Sequence, residues 1–228
     1  MMKRRRVILQ ARRWAAYALA AAALCGASMR NAHAASTKGR EGLLALGAEA
    51  PAFQLPDVTS GDLVSLEDVS NKPALLVVIL CRHCPYVQHV KAGIAQLAHE
   101  YARGPLGIVA ISANDAQAYP DDAPERLKEM AQEAGFIFPL LYDDTQQVAI
   151  AYTAVATPDF FLFDHRRRLV YRGQFDDSRP GNGKPVTGRD LRAAIDALLA
   201  GQPIDSEQRP SFGCSIKWKP NLTPAYLR

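Results

Sequence analysis

The sequence predicts an α/β domain built on a central mixed β-sheet with helices on its faces. Two uninterrupted apolar runs, residues 74–80 and 106–111, have the composition of strands that are covered on both sides. They enclose a segment with helical periodicity, which is typical of a parallel strand–helix–strand unit with a right-handed crossover. Residues 159–163 and 169–172 flank a short polar turn and predict an antiparallel hairpin. Parallel and antiparallel pairs in one domain together predict a mixed sheet.

The first 34 residues have the parts of a secretory signal peptide. Six basic residues precede an apolar stretch at 14–27 that is too short to span a membrane comfortably, and the segment contains no acidic residue. Ala32-His33-Ala34 provides a small-residue cleavage site. We therefore expect a signal peptide over residues 1–34, a periplasmic mature protein and no membrane span after cleavage. An uncleaved membrane anchor stays open as an alternative, and so does twin-arginine export, which Arg4-Arg5 loosely fits.

Loss of the signal peptide changes the charge of the protein. The precursor has a formal net charge of +4, whereas residues 35–228 contain 20 basic and 23 acidic residues, a charge of −3. The basic balance belongs to the export signal, so we expect no nucleic-acid partner. The mature chain suits one domain with a sizeable core. Its three cysteines are Cys81, Cys84 and Cys214, and in an oxidising compartment a thiol pair must be kept reduced or act as an oxidant.

The domain is expected over residues 47–202, with a C-terminal tail over 203–228 that packs back on it. A β-hairpin made by residues 50–57 and 63–66 precedes the central sheet. After the second buried strand, the pattern predicts in order a helix at 125–134, a strand at 138–142, a helix around 148–155, the late hairpin and a last helix that ends near Gly201. The glycine-rich residues 181–184 do not join a strand to a helix, so we interpret them as a turn and not as a phosphate loop.

A Cys-x-x-Cys pair stands between the first buried strand and the first helix. Cys81 and Cys84 follow the strand directly, and Pro85 suits the first turn of a helix because the N–H it lacks would have no partner there. A cysteine at a helix N-terminus is surrounded by unpaired N–H groups that favour the thiolate, and Arg82 and His83 could add positive charge. A structural disulfide or half of a zinc site is the alternative, but a zinc site would need a second Cys-x-x-Cys or a histidine pair downstream.

The order of these parts resembles the thioredoxin superfamily. Thr157-Pro158 stands before the late hairpin, where that fold has a cis-proline whose loop lies against the redox pair. The segments Asn114-Asp115, 157–164, Asp176-Asp177 and 213–219 resemble a bacterial group of peroxiredoxin-like (redoxin, AhpC/TSA-type) thioredoxin-family proteins. The resemblance covers about residues 47–220. It implies a thioredoxin-like fold, a cis Thr157–Pro158 bond and a binding groove for thiol or disulfide partners beside Thr157 and Pro158.

Two departures limit what the resemblance implies. Peroxiredoxins have a proline and a hydroxyl residue at fixed distances before their peroxidatic cysteine, and counting back from Cys81 or from Cys84 gives neither. Thioredoxin has a buried carboxylate six residues before its first redox cysteine and a tryptophan just before it, where this chain has Leu75 and Leu80. Peroxidase activity is therefore disfavoured, and the sequence does not identify a proton acceptor.

The leading functional hypothesis is an exported thiol–disulfide oxidoreductase. Cys81, as the more exposed thiol, would form a mixed disulfide with a protein or small-molecule thiol partner, and Cys84 would resolve it. Arg82, His83 and Pro85 would favour the thiolate, and we expect no cofactor and no metal. Two alternatives stay open: a peroxiredoxin-like antioxidant thiol peroxidase, and a Sco-like copper-binding protein. The copper site would use Cys81, His83 and Cys84, with His89 or the more distant His165.

The tail carries the third cysteine of the mature chain. Phe212, Cys214, Ile216 and Trp218 alternate with polar residues or glycine and would share one face of an extended segment. We expect this face to pack on the domain, with Cys214 inside, away from Cys81, and reduced. The rival interpretation is that Cys214 is a resolving cysteine.

Overall fold

A computed structural model describes residues 42–101 and 104–227, and the predicted signal peptide lies outside these residues. Five strands form one mixed sheet in the order β5-β4-β3-β6-β7, and β1 and β2 form a separate hairpin. The strands are β1 Gln54–Pro56, β2 Leu63–Ser65, β3 Ala74–Ile79, β4 Leu106–Ser112, β5 Leu140–Tyr142, β6 Asp159–Phe163 and β7 Leu169–Gly173. The helices are α1 Leu66–Val69, α2 Pro85–Tyr101, α3 Pro124–Ala134, α4 Gln147–Ala151 and α5 Arg189–Leu199, with short 3-10 turns at Pro120–Asp122 and Ala225–Leu227. The predicted α/β fold with a mixed sheet is confirmed.

Strand β3 is the centre of the sheet. It pairs in parallel with β4 and antiparallel with β6, and all six of its residues are buried. Leu76 and Val78 pack on the side of the sheet that α2 covers, whereas Leu75 and Val77 pack on the opposite side. A strand held on both edges and both faces has little freedom, so the cysteine pair that follows it starts from a fixed position.

Helix α2 runs back along the sheet from the end of β3. Its apolar residues Val87, Val90, Ile94 and Leu97 are buried, at the spacing that places them on one helix face. The helix begins at Pro85, the position at which a missing N–H is tolerated. Its N-terminus therefore lies at the carboxyl end of β3, beside both cysteines.

The remaining elements follow the predicted order with small differences at their ends. Strand β5 begins at Leu140 and not at residue 138, because Pro139 has no N–H to donate and only its carbonyl oxygen pairs, with the N–H of Ala110 at 3.0 Å. Helix α3 ends at Ala134 and is capped by Gly135, which adopts the left-handed conformation with φ 70°. Helix α4 is shorter than predicted and covers only Gln147–Ala151.

The C-terminal tail packs on the domain across the carboxyl ends of the strands. Near β7, the Arg209 carbonyl oxygen accepts from Gln174 N at 3.0 Å. Near β5, Lys219 N donates to Gln146 Oε1 at 2.7 Å. Between these anchors the tail passes over the cysteine pair. Within residues 42–101 and 104–227, no helix is long and apolar enough to cross a membrane.

A buried ion pair joins β6, β7 and the tail. Arg172 and Asp159 lie 3.2 Å apart, with side chains that are 5% and 1% exposed, and Asp159 also accepts from Ser211 Oγ of the tail at 2.6 Å. A buried charge that loses its partner is strongly destabilising.

Substituting Asp159→Asn should lower the free energy of unfolding by about 3–5 kcal/mol, because it leaves the Arg172 guanidinium buried without a counter-charge. Glu49→Gln is the matched control: it removes the exposed Glu49–Arg168 pair, at 2.8 Å, and should change stability by less than about 1 kcal/mol. Urea unfolding of both variants measures the difference, and equal effects would contradict this account of Asp159.

Candidate active site

The two cysteines of the Cys-x-x-Cys pair lie at the centre of the carboxyl edge of the sheet. Both Cys81 and Cys84 are 0% exposed, and both are free thiols. The expectation that Cys81 is the more exposed of the two is therefore wrong. Both sulfurs are covered by the loop before β6 and by the tail, so a partner can reach them only when this cover moves.

Thr157 lies against both sulfurs. Its hydroxyl oxygen is 3.3 Å from Cys81 Sγ, and the Cys84 thiol can donate to its carbonyl oxygen at 3.1 Å. The Thr157–Pro158 peptide bond is cis, as the resemblance implied. One residue thus contacts both members of the pair through different atoms.

The tail pairs with the same residue through its backbone. Thr157 N donates to the Cys214 carbonyl oxygen at 2.8 Å, and Cys214 N donates to the Thr157 carbonyl oxygen at 3.2 Å, which is an antiparallel β-bridge. Gly213 permits this approach, because a Cβ atom at that position would lie 2.0 Å from the Thr157 carbonyl oxygen. Cys214 is a free thiol and packs against the core, as expected, but it is only partly buried and lies beside the redox pair, so the expectation of full enclosure is wrong.

A polar cluster lies on the other side of Cys81. His83 Nδ1 is 3.9 Å from Cys81 Sγ and also contacts Asp122 Oδ2. The other oxygen of Asp122 accepts the backbone N–H groups of Arg82 and His83, at 2.6 and 3.0 Å. Asn114 Nδ2 donates to Asp122 Oδ2 at 2.8 Å, and the ring of Tyr119 stacks on His83 with centroids 5.2 Å apart. The segment between the cysteines is therefore held by one buried carboxylate.

Sequence reasoning missed Asp122. This side chain is fully buried in a 3-10 turn before α3, 39 residues from His83, and no local pattern distinguishes it from its neighbour Asp121. In the sequence, Asn114 stands out only as part of a segment that resembles the family. Its position after a buried strand was the available signal, because polar groups at the carboxyl ends of neighbouring parallel strands converge.

Arg82 does not approach the sulfurs. Its guanidinium pairs with Asp121 at 3.5 Å and with Glu129 at 3.9 Å, so the geometry gives no support for the thiolate-tuning role that the sequence suggested. Pro85 is the first residue of α2, as expected, and His83 is the member of the predicted tuning set that reaches a sulfur.

The two thiols shift the pKa of each other, and their interaction is the largest cause of both shifts. It raises the pKa of Cys81 and lowers the pKa of Cys84. Burial and the nearby carboxylate of Asp122 raise the pKa of Cys81 further. Burial opposes the lowered pKa of Cys84, but the Cys214 thiol and the N–H of Val87 in α2 lower that pKa.

One group among residues 42–101 and 104–227 could hold a metal ion. The ligand atoms of Cys81, His83 and Asp122 lie within 4.8 Å of one another, and a thiolate with an imidazole and a carboxylate suits zinc or another transition metal. Both oxygens of Asp122 already accept hydrogen bonds from the protein, which makes this carboxylate an anchor for the Cys-x-x-Cys segment.

The copper hypothesis gains no further ligand from the distant histidines. His89 Nε2 is 2.7 Å from Ser178 Oγ, on the side of α2 that faces the 174–179 loop. His165 is exposed in the turn between β6 and β7. Because the start of β6 pairs with the end of β3, this turn lies at the opposite end of the sheet from Cys81.

The mixed sheet, the cysteine pair at the head of α2 and the cis-proline beside it define a redox protein of the thioredoxin-like class. The chain belongs to the AhpC/TSA family, whose family model matches residues 46–172. A search of curated proteins finds no match.

Two solved structures resemble the chain over most of its length. An uncharacterized conserved protein from Geobacillus kaustophilus is 52% identical, with a TM-score of 0.76, and the match covers 78% of this chain and 95% of that one. A hypothetical protein from Sinorhizobium meliloti 1021 is 50% identical, with a TM-score of 0.76 and coverage of 78% and 96%. Peroxidoxin BcpB from Mycobacterium tuberculosis, at 20% identity, a TM-score of 0.51 and coverage of 68% and 96%, shares the fold.

Replacing Cys81 should change the ionisation of Cys84 according to whether a donor remains. Cys81→Ala removes the donor and should raise the pKa of Cys84 toward about 8.5, the value of a free cysteine. Cys81→Ser keeps a hydroxyl donor and should hold the pKa of Cys84 below that value. Thiolate absorbance at 240 nm, followed against pH in reduced protein, measures this pKa, and the raised pKa of Cys214, about 11, keeps that thiol out of the range. A thiolate that is still present at low pH after Cys84→Ala would contradict the lowered pKa of Cys84.

Proposed function

We propose that the protein is an exported thiol–disulfide oxidoreductase in which Cys81 and Cys84 alternate between a dithiol and a disulfide. The observation that carries the proposal is the contact of both sulfurs with Thr157, Cys81 Sγ with its hydroxyl oxygen at 3.3 Å and Cys84 Sγ with its carbonyl oxygen at 3.1 Å. These contacts lie next to a cis-proline and at the N-terminus of a helix. A purely structural pair would need neither these contacts with Thr157 nor a lowered pKa at Cys84.

The first step is the attack of Cys81 on the disulfide of a partner. The Cys81 thiol gives up its proton to the solvent as its sulfur attacks. A bond forms between Cys81 Sγ and one partner sulfur, the partner's disulfide breaks, and the other partner sulfur leaves as a thiolate.

The second step releases the partner. Cys84 attacks Cys81 Sγ in the mixed disulfide, the bond to the partner breaks, and the proton of Cys84 leaves with the partner thiol. The protein is now oxidised and the partner reduced by two electrons, and the reverse sequence oxidises a partner dithiol. The Thr157 carbonyl oxygen stays within 3.1 Å of Cys84 Sγ in the reduced site and fixes the position from which Cys84 attacks.

His83, Asp122 and Asn114 position the attacking segment in this proposal. The Asp122 carboxylate binds the backbone N–H groups of Arg82 and His83 and so holds the loop between the cysteines. The His83 ring, 22% exposed, lies between Cys81 and the solvent. We assign partner binding to Thr157 and Pro158, and protein or small-molecule thiols and disulfides as the partners.

Export is part of the proposal and is supported by the sequence of residues 1–34. N-terminal sequencing of the protein recovered from cells tests it, with Ala35 as the expected first residue and a retained Met1 as the contrary result.

Peroxide reduction is the second candidate, and the AhpC/TSA family match favours it. The residues before Cys81 and Cys84 lack the proline and hydroxyl of the peroxidase motif. Consumption of hydrogen peroxide with a dithiol donor, at a rate above that of the disulfide reaction, would make this candidate the better one.

Substituting Cys81→Ser should abolish reduction of a test disulfide such as that of insulin, a loss of at least about 1000-fold, because the attacking sulfur is removed. Cys84→Ser should instead accumulate a mixed disulfide between Cys81 and the partner, visible as a mass shift that a reductant reverses. Cys214→Ser leaves both Cys81 and Cys84 in place and shows whether the reaction needs only the pair. Normal turnover by the Cys81→Ser protein would overturn the assignment of the attacking thiol.

A further inference from the structure

The third cysteine lies against the redox pair and not elsewhere in the domain. Cys84 Sγ and Cys214 N both approach the Thr157 carbonyl oxygen, at 3.1 and 3.2 Å, so the two cysteines meet at one atom. Burial, and after it the Cys84 thiol, raises the pKa of Cys214, so the two thiols are close enough to influence each other. Cys81 contacts the hydroxyl of Thr157 and His83 instead. Within the redox pair, Cys84 is therefore the thiol that shares a contact atom with Cys214.

We propose that Cys214 is a third redox thiol, which takes the disulfide from Cys81 by attacking Cys84. This inference rests on the proposed redox function of the Cys81–Cys84 pair. In this proposal, the tail supplies a thiol substrate from within the same chain.

The tail is bound as an extended partner strand would be. Cys214 satisfies both the N–H and the carbonyl oxygen of Thr157, the two backbone groups beside the sulfurs that an extended partner could use. Tight contact at Gly213, where any Cβ atom would meet the Thr157 carbonyl group, sets the approach of the two backbones. Cys214 thus occupies the position that the cysteine of a bound partner strand would have to occupy.

Hydrogen bonds on both sides hold Cys214 in place. On one side, Ser211 Oγ donates to Asp159 Oδ1 at 2.6 Å. On the other, Lys217 N donates to Asn114 Oδ1 at 2.8 Å, and Asp115 N donates to the Lys217 carbonyl oxygen at 2.9 Å. Anchors this close to the thiol raise its effective concentration at Cys84, which makes exchange within the chain faster than exchange with a dilute partner.

The step balances without another reactant. In the oxidised protein, the Cys214 sulfur loses its proton and attacks Cys84 Sγ. A bond between Cys84 and Cys214 forms, the Cys81–Cys84 bond breaks, and Cys81 leaves as a thiolate that takes up one proton. The oxidation state of the protein does not change, and Cys81 becomes free while the disulfide is held beneath the tail.

The structure favours this role over a structural one and over a metal ligand. A structural cysteine is typically fully enclosed among apolar side chains, whereas Cys214 packs against the core but is only partly buried, and its backbone N–H meets the same Thr157 carbonyl oxygen as the Cys84 thiol. Within the described residues, the one group able to hold a metal consists of Cys81, His83 and Asp122 and does not include Cys214.

The test uses the Cys81→Ser variant of the mature chain, which leaves only Cys84 and Cys214. Diamide, which accepts two electrons from a thiol pair, should produce an intramolecular Cys84–Cys214 disulfide, identified in a non-reducing peptide map after alkylation. The matched control is Gly213→Ala in the same background: both thiols remain but the Cβ atom blocks docking, and the disulfide should form at least about tenfold more slowly. Circular dichroism establishes that both variants are folded.

Wild-type protein provides a second measurement that needs no substitution. After oxidation and alkylation, a chain without the relay should carry the label only on Cys214, whereas the proposed exchange leaves a labelled fraction on Cys81. A Cys81–Cys84 disulfide with no Cys84–Cys214 disulfide in either protein would overturn the relay and leave the proposed function standing. Equal rates of Cys84–Cys214 disulfide formation with and without Gly213→Ala would overturn the role of tail docking on Thr157. If wild-type protein forms neither disulfide, both proposals fail.

Discussion

The geometry of the site depends on the position of one residue, Thr157. Its hydroxyl contacts Cys81, its carbonyl oxygen contacts Cys84, and its N–H and carbonyl oxygen together bind Cys214. These contacts exist because β6, which begins two residues later, pairs antiparallel with β3, whose end leads into the cysteines. The central pairing of the sheet therefore brings a loop distant in sequence onto the Cys-x-x-Cys segment, and the tail adds the third thiol to the same loop.

The site forms one continuous hydrogen-bond network with the tail. Lys217 of the tail donates to Asn114, Asn114 donates to Asp122, and Asp122 holds the backbone of Arg82 and His83 between the cysteines. Any movement that uncovers the sulfurs breaks contacts in this network. The burial of both cysteines and the fixed position of the tail are thus two consequences of the same set of bonds.

Local patterns predicted most of the fold. The apolar run of β3 and the helical spacing of Val87, Val90 and Ile94 are short-range signals, and they located the cysteine pair correctly at the head of a helix. The cis Thr157–Pro158 bond followed from resemblance. Asp122 could not be predicted, because its role depends on a fold that carries a 3-10 turn to within hydrogen-bond distance of His83, 39 residues away. The apolar alternation in the tail predicted burial only in part: Ile216 is buried, Cys214 and Trp218 are partly buried against the core, and Phe212 is exposed.

The reduction potential of the Cys81–Cys84 pair tests the central claim, that this pair is a reversible redox centre, most directly. The mature protein would be equilibrated with glutathione buffers of defined potential, and the oxidised fraction read from the mass shift after alkylation. The account predicts a two-electron transition between about −270 mV, the thioredoxin value, and about −120 mV, the value of a strong oxidant. A transition below about −300 mV, typical of a structural disulfide, or a pair that forms no disulfide at any potential, would contradict it.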